Sequence, residues 1–600
     1  MQELRDSCLE EVETAAGLPD HATYNFDQDS AASTVAECAA TVLKTTCRQV
    51  VSLRFSRFES HEVVRREGGR ACRSPQLASV VPKGGRYAYD LISYVGRESL
   101  LRGRKLQDIA VDLAELQIPF SSLYDLQRKF LFYLGHLHRQ SAPKIREYLQ
   151  QRGAMTWLID GTLEAGGPVF FGVLEAQDDL LLGCWKIASE NLDEVAPCLK
   201  ELREAYGLPE RVLHDLSDAM SGACDQALQG VKHQVCQFHL LRDIGEDLYR
   251  APQAALSKLV RQLKLQARMK EQRSGQLQWL REHRDATQGK LVLGDLLAGK
   301  PLPAPWPELL GREVLLALHQ WILDYAQDGQ RQGFPFDPYL LYLHRRVARA
   351  AAGLDRLREQ PAGRTMPPAL GNLARMLNAY LTNPQVVVAA THYEAAWTVF
   401  EHLREVLRFS PQGTSPLGAP YHLTELEQRT MISSLHDLRE DCRRRSSEEV
   451  DPQQRTLHAT VYAHLDRYRQ SFPTGEEGCR ERTTNGLESY WRQTKRVRRR
   501  THGRRKLTRD FQALPEELML VANLDNPRYV ELVLGDPDNL CDKLAEAGRT
   551  AGPFSVWQKQ RNQSGLGHLP KRFLRKENSL EHLLGYYDDW QQQGHTRAAG

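Results

Sequence analysis

Three acidic residues stand where chemistry is possible. Asp160 follows the apolar run Trp157-Leu158-Ile159, Asp215 follows Val212-Leu213-His214, and Glu488 comes just after Thr484-Asn485-Gly486-Leu487. Taken singly, each Asp also reads as a local device: Asp160 as a turn residue opening a hairpin, Asp215 as an N-cap, with Asp218 a rival for either role. The pair carries more than its members. Two uncompensated carboxylates on neighbouring strands repel, and such pairs persist where a divalent cation lies between them. Oxygen donors without a Cys/His cage favour Mg2+ or Mn2+ over Zn2+. Three carboxylates would hold two such ions about 4 Å apart, one activating a water or a DNA 3′-hydroxyl and the other stabilising the leaving oxygen of an in-line displacement.

Glu488 would be an ordinary helix acid but for the residues on its C-terminal side. Thr484 or Asn485 can cap a helix that places Glu488 in its first turn. No Asp or Glu occurs between Ser489 and Arg509, while residues 492–506 hold nine cations: Arg492, Lys495, Arg496, Arg498, Arg499, Arg500, Arg504, Arg505 and Lys506. A solvated charged face normally mixes signs, so a single-sign run beside a carboxylate predicts a polyanion lying against a metal site. Trp491 shares a helix face with Glu488. There it either packs under the helix or stacks on an unpaired base.

Cysteine and histidine offer less. Cys236 and His239 form a lone Cys-x-x-His without a second knuckle, so a core thiol and a capping histidine compete with a metal-binding pair, and His239 is also placed to meet a phosphate. Cys47 and Cys72 flank a short hairpin in the leader, where degenerate zinc binding competes with buried thiols. Eleven cysteines in 600 residues are an odd number without a disulfide pattern, which predicts a reducing, cytoplasmic setting.

Periodicity defines the elements that must position these residues. Residues 1–85 are a mixed leader with an acidic start that lacks the apolar core of a secretory signal. In 86–152 the spacing of Leu106, Ile109, Leu113 and Leu116, a break at Gln117–Phe120, and a helix capped by Ser121 or Ser122 with Leu123, Leu126, Phe130 and Leu134 outline a helix-turn-helix or a plain packing hairpin. From 153 to 250 the order is βββαβαβα, with strands at 154–160, 168–174, 180–187, 210–216 and 233–238. That order predicts an α/β ribonuclease H-like core with acids at the ends of its first and fourth strands. Residues 251–480 read as an all-helical insertion domain, 481–535 as the last part of the core, and 536–600 as a polar tail. No run of about 18 apolar residues exists to span a bilayer. The net charge is only +3, but residues 1–40 hold nine acidic side chains and one basic one, so the body is more basic than the total implies.

Through these motifs the sequence resembles DDE transposases of the Mutator-like superfamily and their bacterial insertion-sequence relatives. The matching pieces are IDGT with Asp160, VLHDLSDAM with Asp215, HQVCQFHLLRDI with its Cys-x-x-His, and TTNGLESYWRQTKR with Glu488, in that order over roughly residues 85–535. The 273-residue interval from Asp215 to Glu488 is similar to family members whose fold is interrupted by a helical insertion. The resemblance implies metal-dependent cleavage at the inverted repeats of a mobile element and strand transfer into target DNA. It also implies double-stranded DNA partners and a homodimer or higher oligomer. The leader departs from the family's Cys-rich start. Two other readings compete: a non-catalytic DNA-binding regulator of the same descent, and a compact nuclease of the same fold such as a junction resolvase.

Overall fold

In the computed structural model the described residues are 44–50, 53–59, 65–67, 70–72, 82, 87–116, 118–282, 289–298, 300, 308–330, 332–360, 364–409, 424–472 and 481–563. They fall into two compact units, Met1–Gln234 with Thr484–Gly600, and Val235–Thr483. The acidic start and most of the polar tail lie outside the described residues. So do the side chains of Cys47 and Cys72, whose backbones belong to β1 (Lys44–Val50, paired antiparallel with β2, Leu53–Glu59) and β4 (Arg70–Cys72, paired with β3, Arg65–Glu67).

The first unit continues with α1 (Tyr89–Gly96), α2 (Leu106–Asp112) and α3 (Phe120–Arg152). The chain breaks between α2 and α3 where Pro119 disfavours an αR residue before it. The serine cap does not form: Pro119 itself is the N-cap and α3 begins at Phe120. At 33 residues α3 is about 50 Å long by helical rise. Leu123, Leu126, Phe130, Leu134 and Leu149 are buried in the same hydrophobic core as the sheet. Glu175 is fully buried, and Arg152 at the end of α3 grips it through two hydrogen bonds of 2.6 and 2.9 Å. Paired this way, a buried carboxylate escapes the desolvation penalty of a lone charge.

The sheet contains β5 (Thr156–Leu163), β6 (Val169–Glu175), β7 (Leu180–Ile187), β8 (Arg211–His214) and β9 (Lys232–Val235), ordered β7-β6-β5-β8-β9. β6 is buried along its whole length, which is why Val-Phe-Phe-Gly-Val-Leu reads as a continuous apolar run. β5 to β6 and β6 to β7 are antiparallel, whereas β5 and β8 are parallel. A parallel pair needs a crossover, and α4 (Leu192–Tyr206) supplies it. After β8 comes α5 (Asp218–Ala227).

The second unit, among its described residues beyond Val235, is helical: α6 (Gln237–Gln262), α7 (Leu265–Glu282), α8 (Gly289–Ala298), α9 (Glu308–Leu323), α10 (Tyr339–Glu359), α11 (Pro368–Leu381), α12 (Pro384–Val406), α13 (Glu425–Glu448) and α14 (Pro452–Arg467). Its chain ends meet. The Gln237 amide donates to the Arg482 carbonyl at 3.0 Å, and the Arg482 guanidinium reaches Gln237 Oε1 at 3.3 Å and the Leu407 carbonyl at 2.7 Å. The first unit resumes with α15 (Asn485–His502), α16 (Thr508–Ala513), α17 (Pro527–Tyr529), α18 (Leu540–Thr550) and α19 (Phe554–Gln563). No described helix is long and apolar enough to cross a membrane.

Candidate active site

Asp160 does not end its strand. β5 runs on to Leu163, and Asp160 sits within the antiparallel ladder opposite Gly172 of β6. On the other side, the parallel pairing with β8 stops at Leu158 opposite Leu213. Continuing that register by two residues brings Asp160 level with Asp215, so the two acids share the rim where the parallel pair opens. Both are half-buried.

Asp215 is not a helix cap. Ser217 caps α5, accepting from the Met220 amide, while Asp215 Oδ1 accepts from the Ser217 amide at 2.9 Å. Asp218, its rival in the sequence, is exposed in the first turn of α5. Behind Asp215, His214 is completely buried. Its Nδ1 donates to the Asp215 carbonyl at 2.6 Å, its Nε2 lies 3.2 Å from His233 Nδ1, and burial pushes the imidazole down to about 4.

Glu488 lies in the first turn of α15 and is half-buried. Thr484 occupies the N-cap position but makes no side-chain cap, so the expected capping by Thr484 or Asn485 is not formed. α15 is docked instead by three side chains at helical spacing. Trp491 Nε1 donates to Asp160 Oδ2 at 3.2 Å, Lys495 Nζ donates to the Leu163 carbonyl at 3.0 Å, and Arg499 reaches Glu164 at 2.7 Å. Residues at i, i+4 and i+8 share one face, so the helix lies along the end of β5 and the turn after it.

This docking corrects the reading of the basic run. Trp491 is buried, with only 3% of its surface exposed, so it is not an exposed stacking platform. Lys495 lies 3.5 Å from Glu164, and burial pulls its ammonium below the ordinary range against the pull of that carboxylate. Arg498 is buried 3.6 Å from Asp510. Lys495, Arg498 and Arg499 are therefore compensated inside the unit, which linear spacing concealed because Glu164 and Asp510 lie outside the run. Arg492, Arg496 and Arg500 are exposed on one face, and Arg504, Arg505 and Lys506 continue beyond the helix end. Arg492, Arg496, Arg500, Arg505 and Lys506 have no ion-pair partner among the described residues, while Arg504 lies 4.0 Å from Asp510.

One acid escaped the sequence reading. An ideal Cβ on Gly161 would fall 1.8 Å from Glu190 Oε1, so the loop after β7 lays a fourth carboxylate against the residue next to Asp160. Only the tertiary path of that loop brings Glu190 there, and nothing in its local sequence announces it. Cys236 and His239 belong to the helical unit: Cys236 is a fully buried thiol at the start of α6, and His239 packs edge-on to Phe238.

In donor chemistry, Asp160, Asp215 and Glu488 suit a hard divalent cation: all are half-buried carboxylates, Asp160 within β5 and Asp215 just past the end of the neighbouring β8. Among the described residues no three His, Cys, Asp or Glu side chains are grouped to hold a metal ion. A scan against protein-family models and a search of curated proteins find no match for this chain.

Proposed function

We propose that the chain is a DNA phosphoryl-transfer enzyme of the DDE transposase type, with a ribonuclease H-like core in the first unit and the helical second unit as its insertion. The observation that carries this reading is the β5–β8 register, which sets Asp160 level with Asp215, while α15, bearing Glu488, is tied to Asp160 through Trp491. Strand order β7-β6-β5-β8-β9 supports the same core. Asp160, Asp215 and Glu488 would hold two Mg2+ or Mn2+ ions, which when bound activate the attacking oxygen and stabilise the leaving one. The chain's own part is to bind and orient. Arg492, Arg496 and Arg500 hold backbone phosphates along the exposed face of α15, drawing duplex DNA toward the carboxylates with an affinity that falls as salt rises.

The test is nicking and strand transfer on duplexes carrying the DNA that flanks the gene, with Mg2+ or Mn2+. Asp160→Asn, Asp215→Asn and Glu488→Gln should each abolish cleavage while gel-shift affinity holds or improves, and Asp218→Asn should be mild. Cleavage retained in any of the first three removes that residue from the site.

The second reading is a non-catalytic DNA-binding regulator. One observation favours it: the three carboxylates are not gathered into a metal-holding group among the described residues. It predicts DNA binding by the wild type with no metal-dependent cleavage at all.

A further inference from the structure

We infer that Trp491 is a positioning residue that orients the Asp160 carboxylate, an inference that rests on reading Asp160 as a metal-holding acid. Its indole N–H donates to Asp160 Oδ2 at 3.2 Å. A tryptophan ring carries one donor and no acceptor, so it orients a carboxylate without competing for the cation. The ring is held in place by the strand it packs on. Gly172 is the β6 residue paired with Asp160, and an ideal Cβ there would lie 2.5 and 2.7 Å from Trp491 Cη2 and Cζ2. The absent side chain at Gly172 thus makes the slot in which the indole lies, opposite the acid it serves. With 3% of its surface exposed, the ring is packed among neighbours that hold it in place.

The contact also links two acids. Glu488 lies one helical turn before Trp491, so the hydrogen bond that orients Asp160 also fixes the height of α15 on β5, and with it the turn that bears Glu488. Lys495 and Arg499 hold the helix further along by polar contacts to Leu163 and Glu164, beyond the acid itself. Of these three, it is Trp491 whose hydrogen bond goes to a member of the acidic triad.

The experiment separates the N–H from the ring. In the full-length protein, Trp491→Phe keeps an aromatic ring in the Gly172 slot, and replacing Trp491 with 3-benzothienylalanine keeps the bicyclic shape while exchanging N–H for sulfur. Mn2+ affinity by calorimetry should weaken about 10-fold or more in both, the usual cost of removing a hydrogen-bond partner of a ligating carboxylate. Cleavage should fall with it and recover partly at raised Mn2+, while the benzothienyl protein melts as wild type does. Wild-type Mn2+ affinity in the benzothienyl protein overturns the inference and leaves Trp491 a packing residue. Asp160→Asn run in parallel distinguishes the two levels: if it binds Mn2+ and cleaves as wild type does, the metal-site reading itself falls, and the positioning role with it.

Discussion

Arg498 Nη2 lies 3.6 Å from Asp510 Oδ1, and both side chains are buried, so the centre of the most basic stretch of the chain is an internal ion pair. Removing one partner of a buried pair costs up to about 3 to 5 kcal/mol, here lessened by His502 at 3.2 Å and Arg504 at 4.0 Å from Asp510. Arg498→Ala should therefore lower stability in urea unfolding by that order. A wild-type midpoint would show the pair to be solvated.

The exposed cations predict the opposite pattern. Arg492→Ala, Arg496→Ala and Arg500→Ala should leave the melting temperature nearly unchanged. Each should flatten the log–log salt dependence of DNA binding by up to about one unit, independently of sequence. Measuring slopes for these three beside Arg498→Ala divides phosphate contacts from structural charges. An unchanged slope in the triple variant would remove α15 from the interface.

Gly172→Ala tests the slot beneath Trp491. A Cβ placed 2.5 Å from the ring forces either the indole or the strand to move, a typical overpacking cost of about 1 to 3 kcal/mol. Thermal melts should register the loss. Tryptophan fluorescence should shift as the ring moves.

Acid should weaken the first unit in a defined window. His138 is buried, its Nε2 2.8 Å from the Leu182 carbonyl, and burial pushes it down to about 4 despite that favourable carbonyl. An unfolded histidine titrates near 6.5, so below that pH the unfolded chain takes up a proton that the native state refuses. Stability is full above about pH 6.5 and falls by up to roughly 1.4 kcal/mol per pH unit from this one group until the native value is reached. His214, also about 4, adds to the trend in the same unit, and His319, likewise about 4, acts in the same direction on the helical unit. Urea unfolding at pH 7 and pH 5 measures the loss. His138→Gln should shrink the difference, and an equal difference in the variant would acquit His138.

The sequence made the strands legible because their apolar runs are short and bounded by turn residues, and it made the faces of α2 and α3 legible because Leu and Ile recur at helical spacing. Strand ends were harder to see. Asp160 reads as a strand end in an apolar count, yet β5 continues because backbone pairing with β6 is indifferent to a polar side chain at the rim. The basic run misled for a related reason: Glu164 and Asp510 compensate its cations from separate elements, and linear spacing carries no record of such partners. Glu190 was invisible for the same cause.

The hydrogen bonds between Gln237 and Arg482 join residues 245 positions apart. Bringing the two ends of a flexible loop together carries an entropic cost that rises only with the logarithm of loop length, about 0.6 kcal/mol per doubling. With its ends knotted in this way, the helical unit presents the rest of the chain with a short bridge whatever its own size. Whole helices can then be gained or lost between these two residues while the backbone that enters at Gln237 still leaves at Arg482, and the excursion becomes a place where length is free to drift.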